Sequence, residues 1–255
     1  QQLVTEQTTA DYRSEFGRIT QMVQAASTFA QWGNIYRKLV AWDIELSSSS
    51  DESIKEVLQY QKNEANQEFC RFVCRNYKDW INQRDEERPV MSHTLMRSKI
   101  FPVVEVNPKT TLLLIDNFRY DQWRVISGML RGYFDVAVDD FYCAILPTAT
   151  QYARNSIFAG LMPLAIDKLM PSKWLNDNEE GGKNQYEEDF LRRLLEQTGR
   201  RYKLSFDKLV RADAGRKLID NIRHVYDADF SVIIYNFLDI LSHARTETDI
   251  IRQLT

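Results

Sequence analysis

Thr110-Thr111-Leu112-Leu113-Leu114-Ile115-Asp116 is the stretch of sequence that decides the fold. A short, almost wholly apolar run that ends in a carboxylate is typical of a central strand in a parallel sheet. Apolar runs at residues 134–146 and 231–237 predict further strands, residues 202–206 favour another, and helical patterns lie between them. This alternation predicts a layered α/β domain with a largely parallel sheet, which we place at residues 104–255.

The first 103 residues carry a different pattern, with almost no turn-forming residues. Apolar side chains recur at helical spacing through residues 1–46 and again through residues 52–82, so each segment predicts one apolar helical face. Four serines separate the two segments, and Asp51 after them is the expected N-cap of the second. We expect an antiparallel helical hairpin, packed on a short third helix at residues 91–101. Residues 1–103 are therefore predicted to form a helical bundle.

The charge balance and the cysteines of the sequence indicate which partners and which compartment to expect. The chain holds 33 basic and 36 acidic residues, for a formal charge of -3, so it offers no electrostatic reason to bind long duplex DNA. A short nucleotide handled at a metal site needs no basic face. Cys70 and Cys74 stand four residues apart in a helical pattern and are expected to pack in a helix interface. With Cys143 they make an odd number of cysteines, which indicates a reducing compartment.

Targeting signals are missing from the sequence. No apolar run approaches the roughly 18 residues that a membrane span needs, and no signal peptide is recognisable. We therefore expect a cytoplasmic protein without membrane insertion. Because the sequence starts with Gln1 rather than Met, we also expect it to be a piece of a longer protein.

Polar residues that suit chemistry follow the first two predicted strands. Asp116 ends the first strand, and ligands of open α/β sheets bind at that carboxyl edge, although a helix cap is the plainer interpretation. Thr148 and Thr150 open a predicted helix that Gly160 ends. A hydroxyl at a helix start faces the free backbone N–H groups, which bind phosphate, but threonine is also a common N-cap. Arg154 follows Thr150 by four residues, so it shares a helix face with it and can grip phosphate oxygens.

Asp239 and His243 follow the strand predicted at residues 231–237. An Asp and a His four residues apart at a helix start reach one cation, and oxygen plus nitrogen ligands suit zinc. The same spacing also arises by chance as an exposed helix pair. A carboxylate, a hydroxyl and an Asp/His pair at the ends of three predicted strands together favour metal-assisted chemistry over the plainer interpretations.

The order of these motifs resembles the alkaline phosphatase superfamily. Three stretches in particular resemble a PglZ domain, namely LIDNFRYD at 114–121, LPTATQYARN at 146–155 and NFLDILSHAR at 236–245. The helical region at residues 7–36 resembles the linker of response regulators of type IX secretion, in which a receiver domain, a helical bundle and a PglZ domain follow one another.

The resemblance implies two zinc ions. Asp116 and Thr150 would belong to one site, with Thr150 as the nucleophile, and Asp239 and His243 would belong to the other. The resemblance also implies which threonine is the nucleophile, because related phosphodiesterases and sulfatases place theirs ten residues before a glycine. Counting ten residues back from Gly160 gives Thr150, with Thr148 as the alternative. The superfamily completes its zinc sites with a downstream Asp-His-Gly and a further His that this sequence does not contain. The chain by itself is therefore expected to bind zinc weakly or to be inactive.

For the complete protein the resemblance implies hydrolysis of nucleotide-like or oligonucleotide phosphodiesters by the effector domain of a two-component response regulator. The two long helices, with Trp32, Trp42 and Trp80, are expected to support self-association. A sigma factor or secretion-system components are the expected partners. The alternative is a non-catalytic signalling and dimerisation module, whose phosphatase-like fold only binds a partner or a nucleotide. A plain scaffold, with an incidental Asp/His pair, is the third interpretation.

Overall fold

A computed structural model describes residues 2–82, 88–176, 179, 182–210, 214–220, 222–236, 238–240 and 242. The chain divides into two compact units. The helical unit consists of Gln1–Pro89 and Arg119–Phe141, and the sheet unit consists of Val90–Phe118 and Tyr142–Thr255. The boundary expected between residues 103 and 104 stays a prediction.

The helical unit begins with three helices, where the sequence predicted two: α1 (Gln2–Ala25), α2 (Phe29–Ser47) and α3 (Glu52–Ile81). The continuous helix expected over residues 1–46 is wrong, because Thr28 and Gln31 form a capping box. The Thr28 hydroxyl accepts from the backbone N–H of Gln31 at 3.3 Å, and the Gln31 side chain accepts from the N–H of Thr28 at 3.0 Å. Asp51 is confirmed as the N-cap of α3, since its carboxylate accepts from Ser53 N at 3.1 Å.

The three helices share an apolar core with one buried polar link. The Tyr12 hydroxyl donates to Gln61 Oε1 at 3.0 Å, and Gln61 Nε2 donates to the carbonyl of Phe16 at 2.9 Å, so the polar groups of both side chains are hydrogen-bonded. Burial raises the pKa of Tyr12 to about 12. The apolar side chains of this core are Ile19, Trp32, Ile35, Leu39, Leu46, Ile54, Leu58, Ala65, Phe72 and Trp80.

Cys70 and Cys74 do not pack in an interface, contrary to the prediction, because both are exposed. Among the buried positions of α3, Ile54, Leu58, Gln61, Ala65 and Phe72 form one stripe at helical spacing. Residues 70 and 74 lie well off that stripe at about 100° per residue. The four-residue spacing was therefore correct for a helix but did not identify the buried face.

The second piece of the helical unit contains α5 (Tyr120–Leu130) and a stretch without helix or strand. Rings of Tyr120 and Phe141 pack on Tyr36 of α2, with centroids 5.7 Å from it in both cases. The Arg37 guanidinium lies 4.4 Å from the centroid of Phe141 and donates to the carbonyl of Asp139 at 2.7 Å. At Gly33 an added Cβ would lie 2.9 Å from the Phe141 ring, so a glycine permits this close approach.

The strand predicted over residues 134–146 is wrong. Residues 134–142 have no strand, and Cys143 forms only an isolated bridge with Met91. Alternating apolar residues suggested a strand, but Phe134, Val136 and Val138 are exposed by 69, 54 and 77 %. Alternation indicates a strand only where a partner strand and a core take up the two sides of the backbone.

The sheet unit contains three parallel strands: β1 (Thr110–Ile115), β2 (Leu204–Leu209) and β3 (Phe230–Tyr235), in the order β1-β3-β2. Ile115 and Leu209 both pair with Tyr235, so the three strands end level. Within the described part of the chain the central strand is β3. The run at 110–116 was predicted to be central but lies at an edge, where Leu113 is 55 % exposed.

Helices and short turns flank the sheet. A 3₁₀ turn (Ser92–Thr94) and a π-helical turn (Met96–Ile100) stand where a third bundle helix was predicted, and they belong to the sheet unit. The α-helices that the structure describes in this unit include α4 (Phe101–Val106), α6 (Thr150–Ala159), α7 (Pro163–Leu169), α8 (Glu187–Gln197), α9 (Ala214–Asp220) and α10 (Arg223–Asp227). The core joins α6 and α8 to the sheet through Phe158, Phe190, Leu191, Leu194, Phe230, Val232 and Ile234.

Gly160 ends α6, as predicted. Its φ of 62° lies in the left-handed region, and its N–H donates to the carbonyl of Ser156 at 3.0 Å. The helix predicted over residues 239–254 lies mostly outside the described residues, of which 238–240 are helical. In the described part of the chain, no helix combines the length and apolarity that a membrane crossing requires.

Candidate active site

The carboxyl edge of the sheet fixes two polar residues directly after the strands. The backbone N–H of Asp116 donates to the carbonyl of Tyr235 at 3.0 Å, and that of Asn236 donates to the carbonyl of Leu209 at 3.0 Å. The sheet ladder therefore extends one residue beyond β1 and β3. Because parallel strands end at the same edge, Asp116 and Asn236 lie side by side at the place where ligands of α/β sheets bind.

Arg154 of α6 reaches this edge and joins the two residues. Its Nη1 donates to Asp116 Oδ2 at 2.6 Å and to Asn236 Oδ1 at 3.0 Å. Its Nε and Nη2 donate to the carboxylate of Glu187, the latter at 3.4 Å. These contacts commit four of the five guanidinium N–H groups. Arg154 is only 6 % exposed, so pairing with carboxylates is what makes its burial tolerable.

Glu187, the first residue of α8, is completely buried. Besides the guanidinium it contacts Lys208 of β2, whose Nζ lies 2.6 Å from Glu187 Oε2. Lys208 also donates to the backbone carbonyl of Asn184. The position of Glu187 at a helix start, where the dipole favours negative charge, adds to its stabilisation. Two carboxylates, Asp116 and Glu187, thus face two cations, Arg154 and Lys208. The four formal charges balance.

Thr150 is the first residue of α6, and Thr148 lies two residues ahead of the helix. The N-cap position belongs to Ala149, which makes no side-chain capping bond, so Thr150 is not the N-cap. Thr150 is half-buried and Thr148 is exposed. Arg154 lies one turn after Thr150, so the helix that carries the threonine is tied to Asp116 through the arginine.

Asp239 lies in the helical residues that follow β3 and is half-buried, whereas His243 lies outside the described residues. The structure thus brings Asp116 together with Arg154 and sets Thr150 on the same helix as the arginine. The convergence of all the predicted site residues at one point stays a prediction. Within the ranges that the structure describes, no group of three or more His, Cys, Asp or Glu residues stands ready to hold a metal ion.

Several residues that surround Arg154 and Asp116 were not singled out from the sequence. Asn236 carries a signal like that of Asp116, since it is the first polar residue after Val232–Tyr235, although the predicted strand at residues 231–237 included it. Glu187 and Lys208 carry no such signal, because their contacts join distant parts of the chain. Tyr142 is a further neighbour: desolvation of its phenol, and then the charge of Asp116, raise the pKa of Tyr142 above its ordinary value, although the residue as a whole is 39 % exposed.

Comparison with known families follows the division into a helical and a sheet region. Residues 2–81 match the PorX response regulator linker domain, and residues 95–254 match the BREX system PglZ alkaline phosphatase-like domain. A search of the curated proteins found no match. The second match includes Asp116, Thr150 and Arg154, and it confirms the resemblance seen in the three motifs. Since that match spans more than half of the sequence, the chain belongs to the PglZ alkaline phosphatase-like family, and it carries a PorX-type linker domain ahead of it.

Proposed function

We propose that the chain is the phosphoesterase effector part of a response regulator, acting in the complete protein as a zinc-dependent phosphodiesterase on nucleotide-like or oligonucleotide substrates. The two family matches support a phosphoesterase-like effector. The observation that carries the proposal is the contact of Arg154 with Asp116 at 2.6 Å. It joins two of the predicted site motifs, which lie 38 residues apart in the sequence, at the ligand-binding edge of the sheet.

Of the described residues at this edge, the carboxylate of Asp116 suits a divalent cation. Asp116 already binds a cation there, because the guanidinium of Arg154 contacts its Oδ2. Carboxylate oxygens are also ligands that zinc accepts. We assign Asp116 and Thr150 to one zinc ion, and Asp239 and His243 to a second. When bound, zinc would lower the pKa of a coordinated hydroxyl and stabilise the oxygen of the leaving group.

The protein's own residues would then orient the substrate and supply the nucleophile. Thr150 Oγ would lose its proton and form the new bond to phosphorus while the bond to the leaving oxygen breaks and that oxygen takes up a proton; water would afterwards cleave the bond between Oγ and phosphorus, releasing a phosphate monoester and restoring the hydroxyl. The first backbone N–H groups of α6 favour the negative charge of the phosphate. Two-point hydrogen bonding of Arg154 to the substrate phosphate also stays a prediction. It requires the phosphate to replace one of the two carboxylates that Arg154 contacts.

Zinc content and turnover test this proposal. We expect the complete protein, purified with zinc, to hydrolyse bis(4-nitrophenyl) phosphate, to lose this activity on treatment with a chelator, and to regain it when zinc is returned. Metal analysis should give two zinc ions per chain. Zinc-loaded protein that shows no diester turnover would contradict the enzymatic proposal and favour the alternative.

The alternative is a non-catalytic signalling and dimerisation module. One observation favours it: the helical unit exposes large apolar side chains in and after α5, at Val125, Met129, Tyr133, Phe134 and Val138. Exposed apolar patches often mark sites of protein association. We propose self-association through the helical region, and a sigma factor or secretion-system component as the class of partner. Light scattering over a wide concentration range tests self-association, and a strictly monomeric protein would contradict it.

A further inference from the structure

The Glu187 carboxylate has no direct contact with Asp116 among the described contacts, yet it binds the residue that does. It accepts hydrogen bonds from Nε and Nη2 of Arg154, whereas Nη1 of the same guanidinium contacts Asp116. Arg154 therefore bridges two carboxylates, one fully buried and one at the edge of the sheet. How firmly it binds one carboxylate depends on how much of its charge the other neutralises.

Glu187 is well placed to neutralise the arginine. It is completely buried, so water does not screen its attraction for the guanidinium. It contacts Arg154 through two nitrogen atoms, and this two-point contact fixes the plane of the guanidinium as well as its charge. Without Glu187, Asp116 would be the one carboxylate left among the described partners of a buried guanidinium, and Arg154 would bind it more tightly.

We propose that Glu187 is a positioning residue that holds and neutralises Arg154, and so leaves Asp116 able to bind a divalent cation. This inference rests on the proposed function, because it takes Asp116 to be a zinc ligand. Lys208 works against it: its Nζ shares Glu187 at 2.6 Å and thereby reduces the negative charge that reaches Arg154. Arg154 and Lys208 thus compete for the charge of Glu187, and the outcome of this competition sets how strongly Asp116 binds a cation.

A second mechanism has to be separated from this one. Glu187 is a negative charge near a cation site, and removing it weakens cation binding by Coulomb attraction alone. That bare effect is the same whether or not Arg154 is present. An effect transmitted through Arg154 disappears when the guanidinium is removed. A double-mutant cycle on Glu187 and Arg154 therefore distinguishes the two mechanisms.

The experiment measures zinc affinity of the complete, metal-free protein by competition with a chromophoric chelator. We expect Glu187→Gln to weaken zinc binding roughly tenfold, the lower end of what loss of an outer-shell partner costs. Arg154→Met should strengthen it, because the competitor for Asp116 is gone. In the Arg154→Met background, Glu187→Gln should change the affinity little. An equal loss in both backgrounds, or no loss in either, overturns the proposal.

Lys208→Met provides a second variant in case Glu187→Gln fails to fold, which circular dichroism would reveal. Its side chain is 27 % exposed, so the substitution is milder than one at Glu187. We expect it to strengthen zinc binding, and to do so only while Arg154 is present; an unchanged affinity overturns the proposal. Zinc binding that follows these expectations without diester turnover would reject the phosphodiesterase and leave the role of Glu187 standing. Wild-type protein that binds no zinc would reject both.

Discussion

Thr150 is a strong test of the proposed chemistry because its hydroxyl has no capping role. Ala149 holds the N-cap position of α6, so Thr150→Val removes the hydroxyl without removing a cap. Valine is nearly isosteric, and the first turn of the helix tolerates it. We expect the complete Thr150→Val protein to lose diester hydrolysis and to keep its thermal unfolding midpoint within a few degrees, as measured by circular dichroism.

Thr148→Val is the matched control for that substitution. Thr148 lies two residues earlier, outside α6, and is exposed, so its hydroxyl is the alternative nucleophile. We expect the Thr148 variant to retain turnover. The opposite pattern, with an inactive Thr148 variant and an active Thr150 variant, would move the nucleophile by two residues. Full activity of both variants would reject covalent catalysis by either threonine.

What the sequence can predict at the scale of single residues depends on how local the signal is. Asp116 and Thr150 follow local patterns, an apolar run that ends in a carboxylate and a hydroxyl that opens a helix. Arg154 was found because it shares a helix face with Thr150. Glu187 and Lys208 lie 33 and 54 residues beyond Arg154, and nothing near them indicates that they meet it. Only folding brings this charged cluster together.

At the scale of elements, the end of α6 determines how the site helix packs. Gly160 has φ 62°, and an added Cβ would lie 2.8 Å from the buried Leu194 and 2.9 Å from Nη1 of Arg97. That same guanidinium donates to the carbonyl of Gly160 at 2.9 Å. Gly160 thus meets two requirements, since both the backbone conformation and the space exclude a side chain.

Gly160→Ala and Gly199→Ala separate these two requirements. Gly199 has φ 70° but no atom within 4 Å of an added Cβ, so its alanine variant carries only the left-handed strain, roughly 1–2 kcal/mol. Gly160→Ala carries the same strain plus overpacking of about 1–3 kcal/mol. Urea unfolding should therefore show the larger loss of stability for Gly160→Ala. Equal losses at the two sites would mean that Leu194 and Arg97 move aside freely.

Some helices and strands can be predicted from the sequence pattern and others cannot. The sequence predicted α6 and β3 closely, because Gly160 marks the end of the α6 helical pattern and a short apolar run marks β3. It missed the break between α1 and α2, although Thr28 and Gln31 form a recognisable capping box. It also predicted a strand at residues 134–146, where the alternation is present but the side chains face solvent. Burial and strand pairing are tertiary properties, and a local pattern cannot supply them.

At the scale of the whole molecule, each of the two compact units is built from two separate segments of the chain. Two consecutive regions were expected, divided once between residues 103 and 104. In the structure the chain passes between the compact units three times, after Pro89, after Phe118 and after Phe141. The family matches, at residues 2–81 and 95–254, likewise follow one another in simple order. The sequence pattern does not reveal that Arg119–Phe141 belong to the helical unit, because the pattern of α5 is like that of any helix in the α/β domain.

The inclusion of Arg119–Phe141 in the helical unit has a consequence for proteolytic cleavage of the chain and reassembly of its fragments. A protease site placed between Asn82 and Arg88 would cut the chain into two fragments, yet the second fragment still supplies Arg119–Phe141 to the helical unit of the first. Tyr36 would remain packed against Tyr120 and Phe141 across the cut. We expect the cleaved protein to elute from gel filtration as one particle, and the fragments to separate in urea and recombine when it is removed. Phe141→Ala should weaken this complementation, and fragments that part in native buffer would contradict it.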